Sequence, residues 1–197
     1  MLLVHGFAGG ITTYYVLKAK KHLRFSDFQM HVLWFLGVLG GIFPDFDIVF
    51  AVLDPTVEHR RLITHSTIPY ALLFVLINLI CYFGKELQGR KHFILMANLV
   101  FFLGVVSHLV IDYFVGGLSL FSPITTHYFG YRLPFSAKIP QWQLRYFDSP
   151  YMVAETIVAL WFLDLRKHIN SFVGKNLPIF FFVVALLATL FLMFIQK

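Results

Sequence analysis

Six apolar stretches divide the chain, at about residues 2–18, 29–43, 66–84, 92–115, 150–165 and 177–195, and charged or helix-breaking residues separate them. About 20 apolar residues cross a bilayer as a helix, and fewer suffice where an end is buried in protein or lines a cavity. The pattern predicts an all-α fold: a polytopic integral membrane helix bundle of about six spans, forming one domain over residues 1–197. The first, second and fifth stretches are short, which suits a tilted, re-entrant or partly interfacial helix. Pro44 cannot continue the hydrogen-bond ladder of the second helix and Pro55 restricts the residue before it, so residues 44–64 read as an ordered polar connection. Thr64 or Ser66 is placed to cap the third helix. Residues 116–149 hold the breakers Gly116, Gly117, Pro123, Pro134 and Pro140 among aromatic side chains, and read as a long ordered outer loop lying over the bundle like an interfacial lid.

Composition agrees with the pattern. The 197 residues are 58% hydrophobic and only 13% charged, above the roughly 45–50% apolar usage of soluble domains. A net charge of +6 would suit nucleic acid, but the Lys and Arg residues sit mostly at the ends of apolar runs, where they anchor helices and attract anionic lipid. No motif for reading bases accompanies them, so no direct nucleic-acid contact is expected. With six spans, ten basic residues (Lys18, Lys20, Lys21, Arg24, Lys85, Arg90, Lys91, Arg166, Lys167 and Lys175) fall on one side and six on the other. This bias places both termini on the non-cytoplasmic side of the membrane. Met1–Leu17 lacks the basic leader of a signal peptide and is expected to be retained. Cys81 is the single cysteine, which excludes an internal disulfide and a thiolate zinc cluster.

Against this background three polar patches abut apolar runs: Pro44-Asp45-Phe46-Asp47, His59-Arg60-Arg61-Leu62-Ile63-Thr64-His65-Ser66, and Ser107-His108 with Asp112. Ionisable groups near hydrocarbon cost roughly 2.5 kcal/mol or more unless paired, hydrated or bound to metal. The six-span topology brings these patches, with His5, to one membrane face. His108 and Asp112 are four apart and share a helix face; Asp45 and Asp47 point the same way if the backbone after Pro44 is extended. His5, Asp45, Asp47, His59, His65, His108 and Asp112 thus form a candidate metal set. Mixed imidazole and carboxylate donors suit zinc, or manganese or iron, and seven exceed the four that one tetrahedral ion needs, which admits one or two ions. Such a centre activates water for hydrolysis. Arg60 or Arg61 is placed to hold an anionic oxygen, one aspartate, with Asp45 foremost, to act as base, and Thr64, Ser66 and Ser107 to orient imidazoles.

Two other functions use the same residues. A divalent-metal or proton-coupled transporter also places acids and histidines in spans, although no duplicated halves are visible here. A structural metal stapling helices needs no catalysis at all. Gly9-Gly10 and Gly40-Gly41 read as close helix contacts rather than phosphate loops. Trp34, Trp142 and Trp161 read as packing or interfacial anchors.

Taken in order, His5, Phe43-Pro44-Asp45-Phe46-Asp47, His59-Arg60 through Thr64-His65-Ser66, Ser107-His108-Leu109-Val110-Ile111-Asp112 and Gly117-Leu118-Ser119-Leu120-Phe121-Ser122-Pro123 resemble the YdjM-like family of inner-membrane metal-dependent hydrolases, over roughly residues 1–125. The resemblance implies a multi-helix membrane hydrolase that uses these His and Asp residues as metal ligands, and LexA binding by the family's description. The family's similarity to zinc-dependent phospholipase C implies a phosphoester, and the membrane setting a lipid or lipid-linked substrate. Two positions depart from its pattern: Arg61 where Gly is common, and Val115 where Thr is common.

Overall fold

The computed structural model describes residues 4–53, 59–115, 117–125, 127–130 and 150–195. Among them the chain is helical: α1 (His5–Ala19), α2 (Asp27–Ile42), the short α3 (Ile48–Leu53), α4 (Thr67–Phe83), α5 (Lys91–Val115), α6 (Pro150–Leu165) and α7 (Phe172–Ile195). The described residues contain no strand, only an isolated antiparallel bridge between Leu118 and Phe129. One helical stretch, Lys85–Phe114, is long and apolar enough by itself to cross a membrane, while Thr67–Phe83 and Phe172–Ala188 are apolar but shorter. At 1.5 Å per residue, α1 with 15 residues and α2 with 16 span about 22–24 Å.

Local chemistry sets the helix ends. Ser26 opens α2 with a reciprocal cap: its hydroxyl accepts from the Gln29 amide while its own amide donates to Gln29 Oε1. Ser66, not Thr64, caps α4 by accepting from the Ile68 amide. The Ser66 hydroxyl also donates to the carbonyls of Leu120 (3.2 Å) and Ser122 (2.6 Å), tying the segment after α5 to the start of α4. Where it is described, at 44–53 and 59–64, the expected polar connection is largely helical; residues 54–58, with Pro55, fall outside the described residues. Phe43–Asp47 is a 3-10 turn leading into the apolar α3, and His59–Arg61 and Ile63–His65 are further 3-10 turns. Pro44 sits in the first turn, where its missing N–H costs nothing. The outer loop is described only at 117–125 and 127–130; the remainder of that expectation falls outside the described residues.

α2 is the axis on which the others assemble, and glycines let them come close. A Cβ at Gly9 of α1 would run into the Gly37 carbonyl of α2, one at Gly41 into the His5 carbonyl, and one at Gly40 into the Phe101 carbonyl of α5. One at Gly104 of α5 would strike Gly37 and Gly41 in turn. Each clash is with backbone, which has no rotamer to yield, so α1, α2 and α5 touch main chain to main chain as small-residue helix interfaces do. On one side Phe7, Ile11, Trp34, Phe162, Leu165 and Ile169 form an apolar core joining α1 and α2 to α6 and α7. On the other, Phe74 of α4 stacks on Phe102 of α5 at 4.6 Å between centroids. The buried Asn98 amide donates to the Phe74 carbonyl beside it. These contacts fix the ends of α1, α2 and α5 that carry the polar patches.

Candidate metal centre

The backbone approach at Gly41 builds the site. Because α1 begins and α5 ends where α2 stops, His5, the turn after α2 and the last turns of α5 share one small volume. His5, Asp45, His108 and Asp112 each offer a donor atom there, all within 4.8 Å of one another. His65, from the turn before α4, closes the group: its Nε2 lies 3.4 Å from His108 Nε2, 3.5 Å from Asp45 Oδ1 and 3.5 Å from Asp112 Oδ2. His5, His65, His108 and Asp112 are buried to 2% exposure or less, and Asp45, at 21%, is the opening to the outside.

Each imidazole is aimed from behind. His108 Nδ1 lies 2.7 Å from the Gly41 carbonyl, an acceptor only, so Nδ1 carries the proton and Nε2 turns its lone pair to the cluster. His65 Nδ1 lies 3.0 Å from Asp47 Oδ2, with the Thr64 hydroxyl on the same oxygen. This carboxylate–imidazole relay raises the basicity of a metal ligand and fixes its orientation. His5 stacks on His108 at 3.8 Å between ring centroids. The Arg60 guanidinium, 19% exposed, donates to Asp112 Oδ1 at 3.2 Å.

Three carboxylates in so small a space demand cations. Burial works against the Asp45 carboxylate, but the His108 and His5 rings and a hydrogen bond from His65 outweigh it and hold the acid below its ordinary range. Burial likewise lowers the His65 imidazole, yet its hydrogen bonds to Asp112, Asp45 and Asp47 outweigh that and keep it up at about 10. The Arg60 guanidinium is a permanent cation beside Asp112. A divalent ion on His65 would displace its proton, as metal binding to imidazole ordinarily does.

The donor spacing fits a small cation. His65 Nε2 and His108 Nε2 lie 3.4 Å apart, and Asp112 Oδ2 and Asp45 Oδ1 each lie 3.4–3.6 Å from both nitrogens. A tetrahedral ion with N and O ligands at about 2.0–2.2 Å separates its donors by about 3.3–3.6 Å.

Of the residues singled out from the sequence, the structure gathers His5, Asp45, His65, His108 and Asp112, with Arg60 on Asp112. Asp47 takes a different place from the expected ligand: it stands behind His65. The extended backbone expected after Pro44 is instead a 3-10 turn, in which residues two apart diverge by about 240° rather than align. The His59 backbone lies in the 3-10 turn His59–Arg61, but its side chain lies outside those described. Ser107 donates to the Gly104 carbonyl of its own helix and orients no imidazole. Arg61 lies over the Tyr128 ring at 5.8 Å, and the Val115 side chain is outside those described. His127 packs edge-on against Phe129. Glu155 is buried in α6 and is not one of the donor group. Sequence reading missed the Gly41 carbonyl, which as a main-chain acceptor leaves no side-chain signature.

Asp47→Asn is expected to weaken metal binding about 10- to 100-fold, since the amide presents a weaker acceptor to His65 Nδ1. Zinc titration of the purified variant checks it, and unaltered affinity would remove Asp47 from the supporting role.

No curated protein and no solved structure matches the chain. The model of the YdjM inner membrane protein family matches residues 1–196, with the donor helices in its first part and α6 and α7 beyond them. The chain is a member of the YdjM family of inner membrane proteins.

Proposed function

We propose that the protein is a membrane-embedded, metal-dependent hydrolase acting on a lipid-linked or otherwise amphipathic ester, with a phosphoester favoured and zinc as the favoured ion. The observation that carries this reading is the convergence of two imidazole nitrogens, 3.4 Å apart, and two carboxylate oxygens, each 3.4–3.6 Å from both nitrogens, brought together by α5 and the turns after α2 and before α4. His65 and His108 through Nε2, with Asp45 and Asp112, would hold the ion. When bound, a divalent metal supplies Lewis-acid charge and lowers the pKa of its water toward neutrality.

The chain's own groups do the rest. Gly41 and Asp47 keep both imidazoles presenting Nε2, and the burial of α1 and α5 around them excludes bulk water. Asp45, the most open of the three acids, offers an oxygen for taking a proton out of the site. Arg60 stands where an anionic substrate oxygen would pair with its guanidinium. An apolar groove of about 260 Å³ lies between α4 and α5, lined by Thr67, Val106, Leu109, Tyr113 and Leu120 among others and by none of the donor residues. Its apolar lining suits the acyl part of an amphipathic substrate. A transporter, by contrast, calls for polar groups spaced along a path.

The reading requires hydrolysis of a phosphoester or acyl-ester panel presented in mixed micelles, lost on chelation and restored by zinc. A metal-loaded, folded protein that cleaves none of them overturns it.

The same reading makes the chain multi-pass. Leu72, Leu76, Leu79 and Phe83 form an exposed apolar stripe along α4, and Val153, Ile157 and Leu160 do so on α6. Stripes of this kind suit a face covered by lipid. Cys81 is buried, so single cysteines introduced elsewhere report cleanly on topology. Cysteines at Arg24 and Arg90 are expected to react with a membrane-impermeant maleimide only from the cytoplasm, and one at Phe46 only from the opposite side. Labelling of all three from one side contradicts the arrangement.

A further inference from the structure

The donor group has more oxygen than one tetrahedral ion uses, and the surplus faces a single direction. Asp45 Oδ1 and Asp112 Oδ2 turn to His65 and His108. Their other oxygens turn to His5, whose Nε2 lies 3.7 Å from Asp45 Oδ2 and 3.5 Å from Asp112 Oδ1. His5 is thus placed across the carboxylates from His65, with its ring flat against His108. Its buried Nδ1 has no hydrogen-bond partner, so nothing commits the ring to presenting a proton at Nε2. Arg60 donates to the same Asp112 Oδ1 that faces His5.

Resting on the hydrolase reading, we infer that the centre takes a second divalent cation at His5 Nε2, Asp45 Oδ2 and Asp112 Oδ1, with Asp45 and Asp112 bridging the two ions, and that Arg60 competes with it. Carboxylates bridging in this way hold metal pairs about 3.5–4 Å apart, the separation that suits displacement at an ester. A guanidinium and a divalent ion on one oxygen repel, so each weakens the other. While the second position is unfilled, Arg60 neutralises Asp112. When a cation arrives, Arg60 is released toward an anionic oxygen of the substrate. Loading of the second ion thereby sets whether the site has its anion-binding group.

Zinc titration of the detergent-purified chain, with bound metal counted by mass spectrometry, tests this without reference to activity. Wild type is expected to bind two ions in two affinity classes. His5→Ala and His5→Gln should each keep only the tight one. Arg60→Met should bind the second ion at least about tenfold more tightly. Circular dichroism and a monodisperse elution profile establish that each variant is folded. Saturation at one ion in wild type, or two ions retained in both folded His5 variants, overturns the inference and leaves a one-metal hydrolase standing. Unchanged second-ion affinity in Arg60→Met overturns the competition. Absence of any bound ion overturns both this inference and the function on which it rests.

Discussion

His108→Ala is expected to lower metal affinity by more than about 100-fold while leaving helix content unchanged. The estimate starts from the 10- to 100-fold cost of losing merely a supporting partner of a ligand. His108 is itself the donor on which the group converges: its Nε2 lies within 3.4–3.6 Å of His65, Asp112 and Asp45. It is also where α2 aims α5, through the Gly41 carbonyl. Removing the ring deletes one corner of the donor set and leaves the acids facing each other. Equilibrium dialysis with zinc, alongside circular dichroism, checks it. A folded variant with undiminished affinity would place the cation elsewhere.

Gly104→Val is the second substitution of large effect, and it acts on the scaffold rather than the chemistry. The added Cβ alone would meet the backbone of Gly37, Gly40 and Gly41, with no side chain to move aside. Overpacked cores usually lose 1–3 kcal/mol. Backbone against backbone should cost about 3 kcal/mol or more and push α5 away from α2. Since His108 and Asp112 ride on α5 and Asp45 follows α2, the donors separate with the helices. Loss of thermal stability in detergent together with loss of zinc binding is the expected result. The matching control is Gly89→Ala, where nothing lies within 4 Å of an added Cβ. It should change neither property, and a Gly104 variant that behaves like it would show that the close approach does not hold the site.

Much of this was legible in the chain because hydrophobic runs and helix breakers obey strong rules. The helix after Ser66 and the one ending near Val115 follow from apolar length, a capping hydroxyl and the glycines beyond. The clustering of His5, Asp45, His65, His108 and Asp112 follows from alternating helix direction, which returns each patch to the same end. What escaped was finer. Ile48–Leu53 is a six-residue apolar run between an Asp pair and an Asp-Pro, too short to register as a helix by periodicity. Asp45 and Asp47 look equivalent in sequence, and only the 3-10 geometry separates a donor from the group that braces His65. Gly37 and Gly104 were not singled out, although the four-residue spacing of Gly37 and Gly41 is the small-residue pattern of close helix pairs. Span lengths were the least legible feature: among the described residues one stretch, Lys85–Phe114, is both long and apolar enough to cross hydrocarbon unaided.

If histidines and aspartates from distant parts of the chain share one cation, X-ray absorption at the zinc edge of the purified, zinc-loaded protein will show it. The expected spectrum has a nitrogen and oxygen shell at about 2.0–2.1 Å with the outer scattering of at least two imidazoles, and no sulfur. A spectrum of hydrated zinc without imidazole scattering, or one that persists unaltered in His65→Ala, would contradict it.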